Sequence, residues 1–156
     1  MEIIGENIFL LPYTIERCHE FWKDYVADYN MWDKEYTYDE NWINKYFNLK
    51  VLDKTRRFFA ICINDKVIGE IQLKKIDKER GIATLSIHLS NDNYKNQGFG
   101  TEAIKLMIDY AFEHLNLNTI YADTVLRNKR SQHVLEKLGF VEIGVDKILK
   151  YYELKR

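Results

Sequence analysis

Three apolar runs set close together constrain this chain more than any other feature. "RFFAICI" (57–63), "VIGEIQL" (67–73) and "ATLSIHL" (83–89) are rich in β-branched and aromatic residues, with turn signals at "NDK" and "DKERG" between them. Connections that short cannot carry a parallel crossover, so the three runs predict an antiparallel meander.

The flanking segments change period. From Thr14, apolar residues recur at Ile15, Cys18, Trp22, Val26 and Tyr29, which predicts a helix over that span. A second helix is predicted after Asp39, with Trp42, Ile43, Tyr46 and Phe47 on its inner side. Ahead of both, "NIFLLPY" reads as a short strand stopped by Pro12. After the meander come a helix over 101–115, a strand "TIYADTV" and a helix over 128–138, which Gly139 is placed to end. "FVEIGV" and "KILKYYEL" read as a closing strand pair. The order β-α-α-β-β-β-α-β-α-β-β predicts an α/β chain of the α+β kind, a mixed sheet with helices packed against it. No repeat, low-complexity tract or linker interrupts the 156 residues, so a single domain over 1–156 is expected.

Composition excludes several function classes. A net charge of −1 gives no electrostatic reason for a nucleic-acid partner. No apolar run approaches the roughly 20 residues that a membrane span requires. The start "MEIIGENIFL" is acidic and soon interrupted by Gly and Asn, so neither a signal peptide nor an anchor is expected. Cys18 and Cys62 have no metal-ligand spacing and sit within apolar patterns, as reduced core residues of a cytoplasmic protein would.

The stretch "YKNQGFGTEA" (94–103) carries the chemistry. "GFGTEA" matches the dinucleotide fingerprint G-x-G-x-x-A, and Asp123 lies about 20 residues further on. The match is misleading, because "SNDNYKNQ" separates the preceding strand from the first glycine and the strands before it form a meander rather than βαβ units. The loop physics stands without that label. Gly98 and Gly100 remove the Cβ atoms that keep a ligand from the backbone, and the amides of residues 95–100 then form an anion nest at a helix N-terminus.

"IHLSNDNYKNQGFGTEAIKLMIDYAF" followed by "VLRNKRSQHVLEKLGFVEIG" resembles the GCN5-related N-acetyltransferase (GNAT) family, and within it the ribosomal-protein and spermidine acetyltransferase branch. The two motifs cover about half of the chain. The resemblance implies the GNAT fold and acetyl-CoA as cosubstrate, its pyrophosphate held by Lys95, Asn96, Gln97, Gly98, Phe99, Gly100 and Thr101. Lys95 stands where the family pattern [QR]-x-x-G-x-[GA] has Gln or Arg. Thr101 either caps its helix or reaches a phosphate oxygen. The resemblance further implies that Ile87, His88 and Leu89 pair through their backbones with the pantetheine arm, and that the Leu89 amide donates to the thioester oxyanion. Asn128 is an N-cap that also contacts the coenzyme. Ser131 is the best match for a donor to the departing thiolate, since the tyrosine common at that role is replaced by Leu135. His88 and Glu70 are candidate bases for the incoming ammonium.

Family acceptor sites are built from the first two helices and their connection. Between Glu20 and Phe47, seven acidic residues stand against three lysines, and ten aromatics interleave with them. Carboxylates beside aromatic faces suit a cationic amine, such as a polyamine, an aminoglycoside-like compound or a protein N-terminus. Trp32 and Tyr36, in a stretch without helical period, join Glu70 as acceptor-side residues. The leading expectation is acetyl transfer to a primary amine. A non-catalytic acyl-CoA sensor is the alternative, and exposed edge strands in the C-terminal hairpin are suited to a homodimer.

Overall fold

The computed structural model describes residues 1–28 and 34–156. The meander forms as the turn spacing predicts: β3 (Arg57–Ile63), β4 (Lys66–Asp77) and β5 (Ile82–Leu89) pair antiparallel in sequence order. The N-terminal segment supplies two strands rather than one, because Ile3–Ile4 (β1) folds back on Phe9–Pro12 (β2). Pro12 closes β2. The C-terminal half adds β6 (Thr119–Val125), β7 (Val141–Val145) and β8 (Leu149–Lys155). The eight strands make one sheet in the order β1-β2-β3-β4-β5-β6-β8-β7, with β7 at an edge.

One junction in that order matters most. β5 and β6 run parallel, and their pairing spans only Ile82–Thr119, Ala83–Ile120 and Thr84–Tyr121. Beyond Thr84, β5 continues to Leu89 without β6 beside it, so the sheet opens there into a wedge.

Strand alternation divides the core between two faces. On β3, Phe59 and Ile61 pack with Ile71, Leu73 and Leu85 against Ala103, Ile104 and Met107 of helix α3 (Phe99–Asp109) and Leu135 of helix α4 (Lys129–Lys137). The residues between them, Phe58, Ala60 and Cys62, face Cys18, Phe21 and Trp22 of α1 (Ile15–Asp24) and Ile43 of α2 (Glu40–Tyr46).

The helices start and stop for local reasons. Thr14 and Asp39 cap α1 and α2 by accepting from the amides of Arg17 and Trp42. Asn128 caps α4 by accepting from the Ser131 amide, and Gly139, at φ +98°, provides the left-handed exit after it. α2 and α3 each run on into a wider π-type turn, at Phe47–Val51 and Tyr110–His114. Two expectations fail. α1 ends at Asp24 rather than running to Tyr29, because the Val26 amide donates to the Ser90 carbonyl at 2.7 Å instead of continuing the helical ladder. Trp42 is half exposed rather than fully inward: it stacks on Tyr46 and meets the buried Trp22 ring only edge-on at 5.9 Å.

Candidate active site

The residues of the glycine loop, the end of β5 and the start of α4 converge on one cleft with a volume of about 160 Å³. It lies where β5 leaves β6. Ile87 and Leu89 line it from the strand, Lys95, Asn96, Gly98, Gly100 and Thr101 from the loop and the start of α3, and Asn128 and Ser131 from the start of α4. Two of the expected loop residues turn elsewhere. The Gln97 side chain donates to the Asn93 carbonyl, and Phe99 packs against the core.

The start of α3 has no side-chain cap. Gly98 occupies the N-cap position at φ +83°, a left-handed conformation that a β-carbon strains, and the first helical bond runs from the Glu102 amide to the Gly98 carbonyl. The amides of Phe99, Gly100 and Thr101 are therefore left without a helical acceptor, at the end where the helix dipole favours an anion. Thr101 does not cap; it lines the cleft. The nest is also narrower than residues 95–100, because the Lys95 amide already donates to the Asp92 carbonyl at 3.2 Å. Arg130, at the start of α4, adds a cation to the cleft lining.

Gly100 shapes the same space in a different way. A β-carbon there would meet only Leu89 Cδ1 at 3.8 Å and Ile87 Cδ1 at 3.9 Å, both ordinary contacts. The fold tolerates a side chain at 100; the cleft is what it would fill.

Backbone polarity completes this side. The Ser90 amide donates to the Ile68 carbonyl at 2.8 Å, and Glu70 stands opposite His88 in the β4–β5 register. Amides alternate along a strand, so those of Ile87 and Leu89 point away from β4, into the wedge.

Glu70, His88 and the aromatic residues lie on the other face. Glu70 is buried, and its two carboxyl oxygens accept from Tyr13 Oη at 2.7 Å and Tyr46 Oη at 2.9 Å. Burial pushes the carboxyl up to about 7, although both phenol bonds pull it down. Burial first, and then the same carboxylate, raise the Tyr13 and Tyr46 hydroxyls well above the ordinary phenol range. His88 is driven the opposite way, down to about 4, by burial first and then by Lys74 and Lys95. Its ring meets Tyr25 edge-on at 6.4 Å. Trp22 centres a group of rings, with Tyr25, Tyr36, Trp42 and Tyr46 all within 6 Å of it. Tyr36 donates its hydroxyl to the Trp22 carbonyl at 2.9 Å. Trp32, the other expected acceptor residue, lies outside the described residues.

Sequence reasoning missed four residues here. Tyr13 and Tyr46 reach Glu70 from 57 and 24 residues away, with no local pattern to announce them. Asp28, which lines the cleft beside Lys95, lies four residues beyond the end of α1. Gln132 also acts unseen: its side-chain amide donates to the carbonyls of Val125 and Leu126, fixing the turn that delivers Asn128 and Ser131.

A family model described as an acetyltransferase (GNAT) domain matches residues 9–141. The chain belongs to the GNAT acetyltransferase family. The family's reaction moves an acetyl group from acetyl-CoA to an amine. Among curated relatives, the chain is similar to an uncharacterized N-acetyltransferase, p20, of Bacillus licheniformis, 38% identical over 97 residues that cover 61% of this chain and 52% of the relative. It is also similar to the spermidine N(1)-acetyltransferase of Vibrio cholerae, 29% identical over 109 residues, covering 69% of this chain and 61% of that protein. The chain spans about half the length of the first curated relatives it matches. A solved spermidine N-acetyltransferase chimera from Vibrio cholerae and hSSAT shares the fold, with a TM-score of 0.82, 21% identity and 96% of each chain covered. The GNAT fold expected from the sequence is the fold observed. Among the described residues, no helix is long and apolar enough to cross a membrane.

Proposed function

We propose that this chain, a single domain over 1–156, is an acetyl-CoA-dependent N-acetyltransferase acting on a cationic primary amine. The observation that carries the reading is the wedge beside β5, floored by Gly100 and closed at one end by an uncapped helix N-terminus. Its donor set fits acetyl-CoA: backbone amides and Arg130 at the mouth suit a pyrophosphate, and the apolar walls of Ile87, Leu89, Ile104 and Val134 suit a slender arm. When bound, acetyl-CoA supplies a thioester carbonyl open to attack by an amine.

The remaining work falls to this chain's own residues. The amides of Phe99, Gly100 and Thr101 hold the anion. Those of Ile87 and Leu89 orient the arm, and the Leu89 amide donates to the carbonyl oxygen as negative charge develops on it. An alkyl ammonium, with its ordinary pKa of about 10.4, must lose a proton first. Glu70 at about 7 is matched to that task near neutral pH, with Tyr46, whose hydroxyl it holds, as the relay outward. His88 is the weaker candidate: at about 4 it is neutral throughout the working range and a poor base. Ser131 is the donor to the departing thiolate, which needs little help, since an ordinary thiol has a pKa of about 8.5. Leu135, at the position where many relatives of this fold place a tyrosine, packs in the core, which leaves Ser131 rather than residue 135 at the cleft.

The ring cluster about Trp22, with Tyr36 and Glu70, favours a polyamine-like acceptor over a neutral amine. Relatives named spermidine N(1)-acetyltransferases agree with that choice. Buried thiols at Cys18 and Cys62 fit a cytoplasmic location. Exposed Val141, Ile143 and Val145 on edge strand β7 favour a homodimer formed through that edge.

The test is acetyl transfer by the purified chain to spermidine, an aminoglycoside and a peptide with a free N-terminus, followed by product mass. Acetylated spermidine supports the reading. Acetyl-CoA binding with no product from any acceptor would replace it with the sensor.

A further inference from the structure

Among the described residues of the glycine loop, Lys95 has its side chain held by two carboxylates. Its ammonium lies 2.8 Å from Asp28 Oδ2 and 3.1 Å from Asp92 Oδ1. Asp92 is 90% exposed, whereas the Lys95 and Asp28 side chains are only 10% and 15% exposed. The near-buried pair therefore joins two elements 67 residues apart. Both partners line the cleft.

The partners belong to opposite sides of the site. Lys95 belongs to the loop at the mouth of the wedge. Asp28 follows α1, and residues 25–28 lie along the end of β5: the Val26 amide bonds the Ser90 carbonyl, and the Tyr25 ring meets His88. Three contacts thus fasten residues 25–28 to the end of β5 and the loop after it, and the ion pair is the outermost of them. An ammonium with two carboxylates already beside it is a poor free cation for a phosphate. A point charge on a flexible stem is well suited to holding a carboxylate in place.

We propose that Lys95 is a positioning residue: through Asp28 it fixes the acceptor-side segment 25–28 to the coenzyme loop, so that the two halves of the site keep one relative geometry. Anion binding at the loop is left to the α3 amides and Arg130. The kinetic consequence rests on the function proposed above; the mechanical claim does not.

The test uses the full chain as Lys95→Gln, Lys95→Arg, Asp28→Asn and the Lys95→Gln/Asp28→Asn double variant. Hydrogen exchange at the Val26 amide is read by NMR, with Met107 in α3 as an internal reference. If the ion pair holds the segment, exchange at Val26 speeds up by about 10-fold in Lys95→Gln and in Asp28→Asn, no further in the double variant, while Lys95→Arg keeps most of the protection. Met107 stays unchanged in all four. Unaltered Val26 exchange in both single variants overturns the proposal, as does additive loss in the double. Acetyl-CoA titration forms a second arm. An affinity loss of about 10-fold or more in Lys95→Gln, with Val26 protection intact, would make Lys95 a direct phosphate ligand and also overturn it. If the wild-type chain binds no acetyl-CoA, the function proposed above fails while the exchange experiment still decides this one.

Discussion

The two faces of the sheet build their parts of the site by different means. On the α3/α4 face, the candidate binding groups are backbone amides and absent side chains, drawn mostly from one contiguous stretch, 87–101. On the α1/α2 face they are side chains brought from the link after β2 and from α1, α2, β4 and β5, and the central one, Glu70, is buried with two phenols on it. The difference is physical. A pyrophosphate is met by a nest that local geometry makes on its own. A proton acceptor near neutral pH needs a desolvated carboxyl, which only a tertiary assembly can provide.

This separation predicts that changes on one face leave the other intact. The largest effect is expected from Glu70→Gln, which should lower kcat by on the order of 100-fold or more while moving the acetyl-CoA dissociation constant by less than about 2-fold. Steady-state kinetics and titration together check it, and a matching loss of coenzyme affinity would break the comparison.

The same face should carry a pH signature. Glu70 is raised from its ordinary 4.5 to about 7, so its folded state binds the proton more tightly; this stabilisation is present below 4.5 and lost as pH rises through 7. His88 is lowered from 6.5 to about 4, so its contribution is present above 6.5 and lost as pH falls toward 4. The two slopes oppose each other between about pH 4.5 and 6.5, and the wild-type stability should be nearly flat there. Removing Glu70 exposes the histidine slope: Glu70→Gln should lose stability relative to wild type as pH falls from 8 to 5, by roughly 2–3 kcal/mol. Urea unfolding at the two pH values reads the sign directly.

A smaller effect is expected at Ser131. A hydrogen bond to a thiolate that leaves readily is worth little, so Ser131→Ala should cost about 3- to 10-fold in kcat with unchanged folding. A loss as large as that of Glu70→Gln would make Ser131 more than a helper. Smallest of all is the stability of Gly100→Ala. Its backbone is compatible with a side chain and its β-carbon meets only ordinary contacts, so melting should be unchanged or raised, by up to about 1 kcal/mol.

The same division explains what could be read from the chain alone. The meander, α3, α4 and the coenzyme loop follow from periods, turns and glycines that are neighbours in sequence. The end of α1 is not legible because the apolar period continues through Val26, while the amide of that residue is taken by Ser90, 64 positions on. Lys95 stands in the loop by its sequence position, but its ion-pair partner, Asp28, leaves no mark near it. Glu70 stood out as a polar residue in an apolar strand, but nothing near it announces Tyr13 or Tyr46.

The central claim is that the wedge beside β5 is the acetyl-CoA site, and isothermal titration of wild type and Gly100→Val with acetyl-CoA tests it most directly. The account predicts micromolar binding by wild type and affinity at least about 10-fold weaker in the variant, at an unchanged melting temperature. Equal affinity in the two proteins, or no binding by the wild type, would contradict it.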